Sequence, residues 1–295
     1  MTSLPPNLQP GDPTYPAPLV GALGRRVCPL YVRGELPEGV AVAVVGSRRA
    51  SAGGVALAEA ISQGLARRGV AVVSGGALGI DAAAHRGALA ARGQTVAVLG
   101  TGLDVVYPDR HGALFEQISQ HGALLTSFAP GTPPRRSNFV ARNAIISGLC
   151  QATVVVEAEL RSGSLSTARW ARKQGRVVCA VPGSAGAELL LGAGAHLVRT
   201  ADDVLAALAG MTQSPPAVDV DDVQAQVLAA MPPSEPIDEE SLAESAGLAP
   251  RVVLRALSAL QVSGMVMLAP GRSYRRTWSP PVEHFARGSR GQHPS

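Results

Sequence analysis

Between residue 41 and about residue 210, short Val- and Ala-rich runs alternate with amphipathic segments, and few architectures accept that order. The runs at 41–45, 70–74, 95–99, 123–126, 152–157 and 176–181 have strand length. Between them, VALAEAISQGLARRG, IDAAAHRGALAARG, RHGALFEQISQHG, VARNAIISGL and SLSTARWARKQG return apolar residues at helical spacing. Repeated strand-helix-strand units predict an α/β fold with a doubly wound, mostly parallel sheet. Strands apolar on both sides fit a sheet covered by helices on both faces.

The pattern changes after residue 210, where the polar, Pro-containing stretch at 211–221 reads as a linker. Beyond it, VDDVQAQVLAAM, EESLAESAGL and PRVVLRALSALQVSGMV carry three short helical patterns. GMVMLAPGRSYRR then reads as two strands around a Pro-Gly turn, so residues 222–279 are expected to form a small C-terminal winged-helix domain. Residues 1–40 are expected to be an N-terminal extension, 41–210 the main domain, and 280–295 a disordered tail, with disorder also expected in the first dozen residues.

Several function classes are excluded at this level. No apolar run reaches the roughly 18 residues of a membrane span, and the Pro-rich start lacks the basic-then-apolar order of a signal peptide, so a cytoplasmic protein is expected. Cys28, Cys150 and Cys179 are far apart with no metal-ligand spacing and are expected to be buried, reduced thiols. Lys173 is the sole lysine among 26 basic residues, so arginine, a planar fork suited to phosphate and to stacking on bases, supplies nearly all the positive charge.

In a doubly wound sheet the loops after the strands hold the chemistry. The first, GSRRASAGG, places Gly46, Ser47, Arg48 and Arg49 before a helix whose free amides favour an anion. Its spacing fails the G-x-G-x-x-G pattern, which disfavours a dinucleotide, and no cofactor is expected. Arg48 and Arg49 either hold phosphate or cap neighbouring carbonyls. In SGGALGID and the helix after it, Asp81 and His85 share a face. The simpler reading is a first-turn acid and a locally bonded histidine, ahead of acid-base or metal chemistry, and no metal is expected. The segment PPRRSNFVARNAIISGL carries Arg135, Arg136, Phe139, Arg142 and Asn143, where Phe139 either stacks on a base or staples the helix to the sheet. Ser162, Gly163 and Ser164 precede another helix and are expected to cap it or hold a phosphate, since no histidine close in sequence could activate Ser164.

The ordered motifs VGSRRAS, VVSGGALGIDAAAH, TVAVLGTGLDVVYP, FVARNAIISGL, VVVEAELRSGSLSTARWA and VCAVPG resemble the DNA-processing protein A (DprA/Smf) family over about residues 28–200, with looser similarity over 220–277. The resemblance implies a Rossmann-like protein, not an enzyme, that binds single-stranded DNA as a homodimer and loads RecA recombinase onto it during natural transformation. It also implies a DNA-binding set of Gly46, Ser47, Arg48, Arg136, Phe139, Arg142 and Asn143, to which the loops described above add Arg49, Arg135, Ser162, Gly163 and Ser164 as expected secondary phosphate contacts. Two departures from the family stand out. The expected recognition helix carries only Arg251 and Arg255 as basic residues, which argues against duplex reading. Only about 27 residues precede the matched region, so the helical extension of some relatives is expected to be absent. The rival reading is a nucleotide phosphoribohydrolase of the lysine-decarboxylase-like group. Those enzymes place a glutamate three residues after the threonine that corresponds to Thr167, where this chain has Trp170.

Overall fold

Every residue from Ala41 to Val45 is buried, and the side chains alternate between two separate cores: Ala41, Ala43 and Val45 on one face, Val42 and Val44 on the other. A strand with no wet face demands helices above and below it. The computed structural model, which describes residues 7–160, 162–210, 222–232, 235–262, 265–271 and 273–277, supplies them. The chain divides into two units, Met1–Val218 and Asp219–Ser295.

In chain order the first unit contains β1 (Asn7–Leu8), α1 (Ala17–Leu23), β2 (Leu30–Gly34), β3 (Ala41–Val45), α2 (Ala52–Ala66), β4 (Ala71–Ser74), α3 (Ile80–Ala90), β5 (Thr95–Val98), α4 (Gly112–Gln120) and β6 (Gly122–Thr126). It continues with α5 (Arg136–Ala141), α6 (Asn143–Gly148), β7 (Ala152–Val155), α7 (Gly163–Lys173), β8 (Val177–Ala180), α8 (Ala185–Gly192), β9 (His196–Leu197) and α9 (Ala201–Leu208). The nine strands lie in the order β1-β2-β6-β5-β4-β3-β7-β8-β9. All pairs from β6 to β9 are parallel, and β1 and β2 add antiparallel. The α/β, doubly wound expectation holds. One core packs α1, α6, α7 and α8 on the sheet, and the other packs α2, α3 and α9.

The six expected strands are β3 to β8. Three features differ from expectation. The segment before residue 41 is part of the sheet, because β2 pairs with β6 through Tyr31 to Gly34, and β1, within the first dozen residues expected to be disordered, pairs with β2. VARNAIISGL is not one helix: α5 ends at Ala141 and α6 begins at Asn143, with Arg142 between them. The loop expected after the sixth strand contains α8, whose glycines at both ends thin out the apolar period.

The second unit contains α10 (Asp222–Ala230), β10 (Ile237–Asp238), α11 (Glu239–Ala246), α12 (Pro250–Val262), β11 (Val266–Ala269) and β12 (Ser273–Arg276). Asp238 caps α11 by accepting from the Ser241 amide, and Gly247, at φ 64°, ends it in the left-handed region that favours glycine. Val227, Leu242, Val253, Leu257 and Leu260 form its core, and β11 and β12 form the hairpin, so this is the expected winged helix. Arg251 and Arg255 are exposed. The expected linker and tail lie outside the described residues.

Candidate functional site

Strand β3 is flanked by β4 on one side and β7 on the other, and the helices that follow β3 and β7 lie on opposite faces of the sheet. The loops leaving these two strands therefore diverge, which opens a crevice at the carboxyl rim. A cleft of about 1010 Å³ occupies it. Gly46, Ser47, Arg48, Arg49, Arg136, Phe139, Arg142, Asn143, Ser162, Gly163 and Ser164 all line it. Arg135 does not: it sits before α5 and lines a smaller depression with Phe128 and Asn138.

The floor is buried and polar. Arg142 is only 4% exposed, its guanidinium packs on Gly75 where a side chain would collide with it, and its Nε has no hydrogen-bond partner. Burial lowers the Arg142 pKa to about 10, against the favourable field of Asp81. Asp81, in the first turn of α3, accepts from the Ala77 amide at 3.3 Å. Burial holds its pKa above the usual carboxylate value, and the Arg142 charge and Arg48 charge offset part of that rise. His85 is fully buried and bonds Thr95 Oγ1 of β5 at 2.8 Å, a structural bond but to a neighbouring strand, while Asp81 is the expected first-turn acid and also lines the cleft. Asn143 is also buried, and its side-chain amide donates to the Gly163 carbonyl at 3.2 Å, tying α6 to the start of α7.

The rim is different. Arg48, Arg49 and Arg136 are exposed. The Arg48 guanidinium lies 5.2 Å from the Phe139 ring centre, and Phe139 in turn meets Tyr107 at 5.5 Å with ring planes 37° apart. Phe139 also rests on Gly100, where a Cβ would lie 2.6 Å from Cδ1. Arg48, Phe139 and Tyr107 thus form a cluster of one cation and two tilted rings on the cleft wall. Tyr107 and Arg169, both lining the cleft, were missed in the sequence. The signal for Tyr107 was its place in a strand-tip loop of a chain with 3% aromatic residues.

One expectation is corrected. The amides opening α2 were expected to be free for an anion, but Glu157 already occupies that position. Its carboxylate accepts from the Ser51 amide at 3.1 Å and from Ser51 Oγ at 2.6 Å. The Ser47 amide donates to the Glu157 carbonyl at 2.7 Å, and the Arg49 amide donates to Ser47 Oγ at 3.1 Å. The first loop therefore offers side-chain guanidinium groups rather than these amides. At α7, Ser162 Oγ accepts from the Ser164 amide at 3.2 Å and the two hydroxyls lie 2.6 Å apart, so Ser162 is a helix cap that also faces the cleft. Among the cysteines, burial pushes the Cys179 thiol up to about 12 and raises Cys150, while Cys28 is only half-buried.

A family model described as DNA recombination-mediator protein A matches residues 7–209, and one described as DprA winged helix domain matches residues 211–272. The chain is 47% identical over 246 residues to the putative DNA processing protein DprA of Mycobacterium tuberculosis, covering 79% of this chain and 63% of that one. It is 46% identical over 171 residues to DNA processing protein DprA of Streptococcus pneumoniae, covering 56% and 60%. It therefore spans less than two thirds of these relatives. The X-ray structure of the Streptococcus pneumoniae protein superposes with a TM-score of 0.65 at 40% identity, covering 70% of this chain and 74% of that one. A structure of DNA processing protein A from Helicobacter pylori, described for its unique single-stranded DNA binding mode, superposes at 0.61 with 26% identity, covering 70% and 96%.

Proposed function

We propose, from the premise that the chain belongs to the DNA recombination-mediator protein A family, that its cleft binds an unpaired DNA chain. Arg48, Arg136 and Arg142 meet phosphates, Phe139 stacks on a base, and Arg49, Ser162, Gly163 and Ser164 give secondary contacts. Arg135, outside the cleft, is a secondary contact on the neighbouring loop. The observation that carries this reading is the meeting, in one open cleft, of five arginines and two lining acids with the Phe139 and Tyr107 rings. Guanidinium forks suit phosphate oxygens, and every base has a face that a ring can take.

The family resemblance extends the reading to a cytoplasmic homodimer that loads RecA recombinase onto the bound DNA during natural transformation, without cofactor or catalysis. A binding role rather than N-glycosidic hydrolysis is supported by Trp170 at the position of the missing acid and by Thr167, which is buried at 2% exposure. Competition between an oligothymidine and a duplex of equal length in a gel shift tests the first part. The single strand should stay bound, and preference for the duplex would overturn the reading. Free base released from nucleoside monophosphates would restore the hydrolase. RecA filament growth that is no faster in the presence of the protein would remove the loading step.

A further inference from the structure

Outside the cleft, most of the cations of the first unit that flank α7 are engaged internally. Arg172 donates to the carbonyls of Leu190 and Ala193, and Arg176 to those of Pro18 and Gly148. The ion pairs among the described residues, Arg68 with Asp202 and Arg86 with Glu59, are on other surfaces. Arg26 and Lys173 are different. Both lie against one half-buried ring: the Arg26 guanidinium is 4.3 Å from the centre of Trp170, and Lys173 Nζ is 5.4 Å from it. Neither has a carboxylate partner among the described residues, and Arg25 beside them is exposed. Two like charges gathered on one ring repel each other, and a polyanion relieves that repulsion.

The position of this cluster links it to the cleft. Ser166 and Arg169 of α7 line the cleft, and Trp170 and Lys173 follow at helical spacing on the same face. From Ser166 to Lys173 the helix advances about 10 Å. We propose that Trp170, with Arg26 and Lys173 against its ring, is a second platform that receives the polynucleotide as it leaves the cleft past Arg169. The flat guanidinium of Arg26 offers a base a stacking surface in series with the indole, while Lys173 and Arg25 follow the phosphates. This rests on the reading of the cleft as the primary DNA site.

The test uses the full chain and oligothymidines of graded length. With Trp278→Phe, Trp170 is the only tryptophan, so its fluorescence reports the platform directly. Long oligothymidines should quench it, and the shortest that still bind should not. Arg26→Ala with Lys173→Ala, both exposed positions, should weaken binding of the long oligomers about tenfold and lower the salt slope by about 1.4, with the short ones unaffected. Unquenched Trp170 and unchanged long-oligomer affinity, with Arg48→Ala still weakening binding, would overturn the platform and leave the cleft intact. Equal loss at every length would also overturn it. If the wild-type chain binds no oligothymidine, the cleft reading fails first and the platform with it.

Discussion

The floor and the rim of the cleft use the same residue type in opposite ways. At the floor, Arg142 is 4% exposed, packed on Gly75 and set in the field of Asp81, so its charge is part of the fold. At the rim, Arg48 and Arg136 are exposed, and Arg48 rests on the Phe139 ring. An arginine already desolvated has met much of the cost of binding in a dry site, whereas an exposed one keeps its hydration until a ligand displaces it. In the proposed complex the floor shapes the cleft and the rim takes most of the strand.

The largest test of that division is Arg142→Ala. It leaves Asp81 buried without its compensating cation and should destabilise the first unit by about 3 kcal/mol, visible in thermal or urea unfolding. A stable variant that only binds DNA less well would move Arg142 to the rim class. His85 sharpens the same side. Burial lowers its pKa from 6.5 to about 3, so the folded state refuses a proton that the unfolded chain accepts. Its contribution is complete above pH 6.5 and is lost as the pH falls toward 3, at up to about 1.4 kcal/mol per pH unit, and the acid limb of unfolding should flatten in His85→Gln.

On the rim side, Phe139→Ala should weaken binding by about 2 kcal/mol with an unchanged salt slope, because stacking releases no ions. A fall in melting temperature instead would make the ring a packing residue. Glu157→Ala removes the carboxylate that closes the start of α2 and should cost about 1.5 kcal/mol of stability. If it strengthens DNA binding, the freed amides there have become a phosphate site. Arg48→Ala or Arg136→Ala, the smallest change, should reduce the salt slope by about 0.7 with no shift in melting.

How much of this was legible in the sequence follows from which interactions are local. Strands β3 to β8 were readable because both their faces are apolar. β1 and β2 were not, since they are held by antiparallel pairing to distant residues, as Tyr31 with Thr126, rather than by their own pattern. The sequence named Arg48, Arg136, Phe139, Arg142 and Asn143, and the fold brings them to one cleft, but residue type alone left Arg48 open between phosphate and a carbonyl cap and Phe139 between a base and a staple. The contacts that build the floor were not legible. Nothing in the local sequence says that Arg142 lies on Gly75, or that Glu157 reaches Ser51 across 106 residues and takes the helix start expected to be free. Tyr107 likewise becomes a site residue only when folding brings it to Phe139.

The most direct measurement is the affinity for an oligothymidine as a function of salt. Several rim guanidiniums on one polynucleotide predict tight binding at low ionic strength and a logarithmic slope of about −0.7 for each phosphate engaged. An affinity indifferent to salt, or no complex at low ionic strength, would contradict the account.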